Sequence, residues 1–198
     1  LHKMHAGRYR HLPVLDGQSL FGMVSISDLY TTAYAELVEK LTGRELKEFL
    51  SKTIIPNVIK DQDVTLFSGT QTVREAAQSM ADRHVGSILI SGDGGLEGIF
   101  TESDVAHRVI AQDLDPDQTK LADVMSPDPE TVAPDDTCKD VLDRMCSGHF
   151  RHLPVVDFQG VRGIASVRDI FAVMQPHIEK EFGSGDSRWD RFLEAFKD

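Results

Sequence analysis

Apolar residues run along the chain in two alternating rhythms. At Val73, Ala76, Ala77 and Met80, and again at Cys138, Val141, Leu142 and Met145, they fall at i, i+3, i+4 and i+7. That spacing puts them on one side of a helix, so each stretch predicts an amphipathic helix with one buried stripe. After each helix the rhythm shortens. "GSILIS" and "GIF", then "HLPVVD" and "GIASV", are short apolar runs separated by the turn sequences "GDGG" and "DFQG". They read as paired strands. A turn with a helix start falls at Thr72 and at Thr137. A second helix opens after each strand pair, at "TESDVAHRVI" and "SVRDIFAVM". With a short extended segment in front, each unit has the order β-α-β-β-α.

The units are copies of one another. From Tyr9 the chain reads "YRHLPVLDGQSLFGMVSISDLY", and from Phe150 it reads "FRHLPVVDFQGVRGIASVRDIF". Residues 1–30 align without a gap on 142–171 with 13 of 30 positions identical, too many for chance. A further copy, second in chain order, places Met80, Gly98, Thr101 and Asp104 on Met4, Gly22, Ser25 and Asp28. One unit has a small sheet with a single exposed face, so it is expected to pack against a second copy. The first copy lacks its upstream half. Leu1 aligns inside a helix, so the sequence is expected to be part of a longer chain, with Met4 a core methionine. The predicted organisation is an incomplete repeat at 1–35, a helical linker at 36–55, full repeats at 56–115 and 116–175, and a helical tail at 176–198. The linker carries Leu37, Val38 and Leu41, then Leu46, Phe49 and Leu50 beyond Gly43. The tail carries a flexible "GSGDS" and an apolar stripe of Trp189, Phe192, Leu193 and Phe196. That stripe suits docking on its own module or on a partner.

The stretches "ADVMSPDPETVAPDDT" (122–137) and "RHLPVVD" (151–157), with the Gly-x-x-[Ser/Thr]-x-x-Asp ending of all three copies, resemble the CBS domain family, named after cystathionine beta-synthase. The resemblance covers residues 1–30 and about 56–175. It implies an α/β fold of the α+β type, in which tandem repeats pack as pseudo-two-fold pairs. It also implies a non-catalytic regulatory module. Such a module binds AMP, ADP, ATP or S-adenosylmethionine in clefts between paired repeats and passes the bound state to an attached domain or partner. A homodimer through the CBS modules is implied too, and no cofactor is required.

The repeated ending carries the candidate chemistry. "GIFTESD" (98–104), "GIASVRD" (163–169) and "GMVSISD" (22–28) each place a hydroxyl at a strand end and a carboxylate three residues later. The first turn of a helix offers unpaired N–H groups and a partial positive charge, which suit phosphate. Thr101, Ser103 or Ser166 adds a hydroxyl donor, and Arg168 a cation that pairs with phosphate. Asp104 or Asp169 accepts both hydrogen bonds of a ribose cis-diol, because both carboxylate oxygens accept. Ser25 and Asp28 occupy the same places in the first copy. The same Ser/Thr-x-x-acid spacing is also a capping box, and both readings stay open here. The resemblance places Arg151 or His152 near phosphate. Read without it, His152 and Pro154 alternate with Leu153 and Val155 as in a half-buried strand, and Pro13 and Pro154 suggest an edge or a strand start. The second copy has Gly86 and Ser87 at these positions, so its cleft is expected to be less cationic and the two clefts to differ.

Bulk properties narrow the field further. A net charge of −11 and a pI near 5.1 argue against a nucleic-acid surface or an anionic membrane face. No apolar run approaches the roughly 20 residues that span a bilayer. Cys138 and Cys146 sit at small-hydrophobe positions of one helix, as buried free thiols of a reducing, cytoplasmic compartment. His2, His5, His11, His149 and His152 match no structural zinc spacing, so no metal is expected. No nucleophile–base pair or phosphate-cradling glycine loop is visible, so no enzyme is expected. The "SGDGG" at 91–95 is hairpin-turn chemistry. Two rivals remain: a ligand-free CBS dimerisation scaffold with the endings acting as caps, and a regulatory fragment of an enzyme or transporter.

Overall fold

A computed structural model describes residues 11–25, 29, 32, 44–53, 55–59 and 64–182. Asp28, Leu37, Val38, Leu41 and the Trp189 stripe lie outside these residues. The chain divides into two compact units.

One unit comprises Ile59–Pro134 and His152–Ala165. It begins with β1 (Leu66–Phe67) and α1 (Val73–Arg83), followed by β2 (Ser87–Gly92) and β3 (Gly95–Thr101). The helix starts at Thr72 because its hydroxyl accepts from the Glu75 amide while the Glu75 carboxylate accepts from the Thr72 amide at 2.7 Å. It ends at His84, which is left-handed at φ 55°. Its predicted stripe is the one that packs: Val73, Ala76 and Met80 are buried with Phe67, Ile88, Ile90, Phe100 and Leu121 in one core. After β3 the chain turns into a short helix, α2 (Glu102–Asp104), continues through a π turn (Val105–Val109) and closes in a 3-10 turn (Ile110–Gln112). The helix α3 (Leu121–Val124) then leads to β4 (Ser126–Pro127). The sheet runs β1-β2-β3-β4, parallel only between β1 and β2. Gly98 in β3 lets this helix end approach, because a Cβ there would collide with the Met125 thioether.

The hairpin β5 (His152–Asp157) and β6 (Gly160–Ser166) turns at Phe158–Gln159 onto Gly160 at φ 111°. Pro154 is not at a free edge as its sequence suggests. Its carbonyl accepts from the Val132 amide at 2.9 Å, and the Val156 amide donates to the Val132 carbonyl at 2.9 Å. The proline therefore supplies an acceptor and is spared the missing donor. It is also buried beside Leu153 and Val155, so the strict alternation fails there.

The other unit comprises Leu1–Val58, Asp135–Arg151 and Ser166–Asp198. Among the described residues its α-helices of a turn or more are α4 (Arg44–Lys52), which precedes the first unit in the chain, α5 (Cys138–Gly148) and α6 (Val167–Phe182). Thr137 and Asp140 form the second capping box, and His149 ends α5 at φ 56°, as His84 ends α1. Cys138, Val141, Leu142 and Met145 are all buried, as their spacing predicts. The linker helix α4 packs on α5 and α6. Phe49 stacks on the His177 ring at 3.9 Å, and the Thr53 carbonyl accepts from the Cys138 amide at 2.9 Å.

Among the described residues the first-copy strands, β7 (His11–Asp16) and β8 (Ser19–Ser25), pair only with each other. Val14 is 39% exposed, whereas Ile90 and Val155 at the same repeat position are 0% exposed. The repeat makes a hairpin in every copy, but burial of its apolar face depends on what packs over it.

Candidate functional site

Each full repeat brings its strand into its last helix through the same backbone joint. The Glu102 amide donates to the Gly86 carbonyl at 3.2 Å, and the Val167 amide donates to the Arg151 carbonyl at 3.1 Å. These joints fix where the hydroxyl and carboxylate of each ending stand. Thr101, Ser103, Asp104 and His152 lie in one unit, and Arg151, Ser166, Arg168, Asp169 and Ser25 lie in the other.

At the second-repeat corner the Asp104 carboxylate is buried and occupied. Its Oδ2 accepts from the Thr101 amide and from Thr101 Oγ1, each at 2.8 Å. Thr101 Oγ1 accepts in turn from the Asp104 amide at 3.3 Å. The second oxygen, Oδ1, lies 3.3 Å from Arg108 Nε. Arg108 then reaches on with Nη1 to the carbonyls of Val124 at 3.0 Å and Met125 at 2.5 Å. These are unpaired groups at the end of α3, where a cation is favoured. Ser103 faces His107 on the exposed helix surface, where His107 Nδ1 donates to the Ser103 carbonyl at 2.9 Å.

At the third-repeat corner Ser166 Oγ donates to Asp169 Oδ2 at 2.5 Å and accepts from the Asp169 amide at 3.1 Å. Arg168 Nε stands 4.0 Å from Asp169 Oδ1, an ion pair too long for a hydrogen bond, with the arginine side chain 60% exposed. This corner holds a hydroxyl, a half-buried carboxylate and a solvent-facing cation within four residues of sequence. Arg151 joins it through its backbone carbonyl.

His152 comes instead to the second-repeat backbone. A Cβ on Gly86 would meet His152 Nε2 at 3.6 Å and Glu102 Oε2 at 3.3 Å. The imidazole thus shares its surroundings with an acid. In the first copy Ser25 ends its strand and is half-buried.

Residues the spacing did not single out are Arg108 and Glu102. The signal for Arg108 was present: its repeat equivalents are Thr32 and Val173, so only the second copy has a cation there. Among the described residues no group of three or more His, Cys, Asp or Glu is placed to hold a metal. Both cysteines are free; Cys138 is buried as expected, whereas Cys146 is only half-buried, and burial pushes the Cys138 thiol up to about 11 and raises Cys146 as well, so neither is a ready nucleophile. No described helix is long and apolar enough to cross a membrane.

Comparison with known proteins bears on the family and the fold. The CBS domain family matches residues 58–111 and 121–176. The CBS domain-containing protein CBSCBSPB3 of Arabidopsis thaliana is 33% identical over 187 residues, covering 81% of this chain and 34% of that protein. The chain spans about a third of the length of the curated relatives it matches first. The CBS domain protein PAE2072 from Pyrobaculum aerophilum, complexed with AMP, superposes with a TM-score of 0.54 at 26% identity, over 59% of this chain and 88% of its own. The CBS domain pair of protein MJ0100, in complex with 5'-methylthioadenosine and S-adenosyl-L-methionine, gives a TM-score of 0.55 at 22% identity, over 62% of this chain and 99% of its own. At that identity the likeness is one of fold.

Proposed function

The chain belongs to the CBS domain family, and from that premise we propose that it is a non-catalytic regulatory module that binds an adenosine-type nucleotide and signals the bound state to an attached domain or partner. The observation that carries the reading is the Ser166–Asp169 corner. A hydroxyl, a carboxylate and Arg168 gather at the start of a 16-residue helix. The helix start and Arg168 suit phosphate, and the carboxylate suits a ribose diol. AMP bound to the Pyrobaculum protein supports the same class of ligand. Signalling requires that the ligand bind one conformation more tightly than another, so affinity alone is not the output. The family resemblance supports a homodimer through the CBS modules, which light scattering of the purified chain tests.

Thermal melts with AMP, ADP, ATP and S-adenosyl-L-methionine test the nucleotide reading. A ligand at 100 times its Kd adds about 2.7 kcal/mol to the native state. For a chain of this size that raises Tm by about 5–10 °C. Asp169→Ala should abolish the rise while leaving the circular dichroism of the native chain in place. If no nucleotide moves Tm at millimolar concentration, the reading fails.

The hydrogen bonds of the endings favour a second reading. Thr101–Asp104 is a complete capping box and Ser166–Asp169 is half of one. A ligand-free scaffold would use them only as caps. It expects Ser166→Ala to cost about 1 kcal/mol with no ligand response in any protein.

A further inference from the structure

The two corners have the same residue types and different spare capacity. A carboxylate offers about four acceptor sites. At Asp104 two are filled by Thr101 and a third faces Arg108 Nε. A ribose cis-diol donates two hydrogen bonds, so this corner is one site short. At Asp169 a single hydroxyl is bonded, and Arg168 stands at 4.0 Å. That corner has room for both donors of the diol.

We propose that Arg108 shuts the Asp104 corner and leaves the Asp169 corner as the nucleotide site, so the chain takes one nucleotide where its two full repeats suggest two. The inference rests on the nucleotide reading above and adds a stoichiometry and a specificity-determining residue. Arg108 is held from two sides. Its Nε pairs with a carboxylate that is only 11% exposed, and its Nη1 bonds the carbonyls of Val124 and Met125. A ligand at Asp104 must therefore displace a guanidinium that is anchored by two carbonyl bonds as well as by the ion pair. The π turn at Val105–Val109 contains this arginine, whereas the third-repeat helix runs as an α-helix from Val167 and carries Val173 at the same repeat position. Nothing at Val173 can pair with Asp169.

Isothermal titration of the whole 198-residue chain with AMP and with S-adenosyl-L-methionine tests this. Wild type should bind one ligand, Asp169→Asn should lose it, and Arg108→Met, which keeps the aliphatic stem, should gain a second. Two ligands on wild type, or an unchanged single ligand on Arg108→Met, overturn the proposal while leaving the nucleotide reading intact. A wild type that binds nothing beside an Arg108→Met that binds one overturns the choice of the Asp169 corner. No heat with either protein overturns the nucleotide reading and this proposal with it. If Arg108→Met does not fold, NMR of the wild type still decides. At ligand saturation the Arg108 Nε–H and the Thr101 and Asp104 amides should stay in place while the Ser166 and Asp169 amides shift. Movement of the Arg108 signal is the contrary result.

Discussion

Asp104 and Asp169 occupy one position of the repeat, yet their removal should cost different amounts of stability even without ligand. The perturbation is Asp104→Ala against Asp169→Ala. At Asp104 the loss comprises two donors from Thr101, each at 2.8 Å, into a residue that is 8% exposed, and the ion pair with Arg108. Hydrogen bonds to a charged group contribute about 1.5–3 kcal/mol each when isolated. Losses within one network are not additive, so the pair is counted at about 2–3 kcal/mol. The Arg108 side chain is 45% exposed, which holds its ion pair below about 1 kcal/mol. The cap bonds therefore dominate, and Asp104→Ala should cost about 3 kcal/mol. Asp169 accepts one side-chain bond beside open solvent, so its loss should match an ordinary cap at about 1 kcal/mol. The difference of about 2 kcal/mol corresponds to about 4–8 °C in Tm for a chain of this length. Urea denaturation followed by circular dichroism, with melts of the same proteins, measures it. Equal costs at the two positions would refute the reasoning. So would a double-mutant cycle in which Arg108→Met removes most of the Asp104→Ala penalty, because the ion pair and not the cap would then hold the corner together.

Three further outcomes follow from other parts of the structure. The Glu75 and Asp140 carboxyls are held below their ordinary values by hydrogen bonds from Thr72 and Thr137, so their contribution is present above the unfolded values and is lost as pH falls through the depressed ones. Tm should drop as pH falls below 4.5, and Thr72→Ala with Thr137→Ala should flatten that drop; an unchanged slope counts against it. A thiol reagent at pH 8 should label Cys138 only on unfolding, since burial lifts its pKa to about 11; rapid labelling of the native Cys146→Ser protein would contradict this burial. Gly98→Ala should cost about 1–3 kcal/mol because the new methyl meets Met125, whereas Gly94→Ala, with nothing within 4 Å, should be neutral; equal melts for the two would dismiss the packing role of Gly98.

The helices and turns were legible because each has a local cause. The stripes of α1 and α5 follow from 3.6-residue spacing, their starts from Thr72 and Thr137, and the hairpin turns from Gly95 and Gly160 at positive φ. What escaped the sequence depends on distant partners. Pro154 reads as an edge residue until Val132, 22 positions earlier, is seen bonding its carbonyl. His84 and His149 sit in left-handed caps where glycine is the usual choice, so composition gave no sign of them. Arg108 reads as one more charged residue on a helix until its partners 16 and 17 residues later appear. The exposed face of the first-copy hairpin is a further case, since "HLPV" is common to that copy and to the buried third one.

The endings of the repeat therefore carry two capacities that compete for the same oxygens. A carboxylate three residues after a hydroxyl makes a helix cap with one oxygen, and whether it serves a ligand depends on what claims the other. In the second copy the residue four positions after the acid is arginine, and the helix takes a π turn where that arginine reaches the carbonyls ending α3. In the third copy that position is valine, and Asp169 keeps acceptor sites to spare. Repeated sequence thus yields one corner built for stability and one with capacity for recognition. An asymmetric pair of this kind has a direct consequence for regulation. A ligand at a corner that is only half of a capping box disturbs few native bonds, so more of its binding energy remains to favour one conformation over another. The same ligand at the Asp104 corner would first have to displace bonds that hold three segments of the unit together.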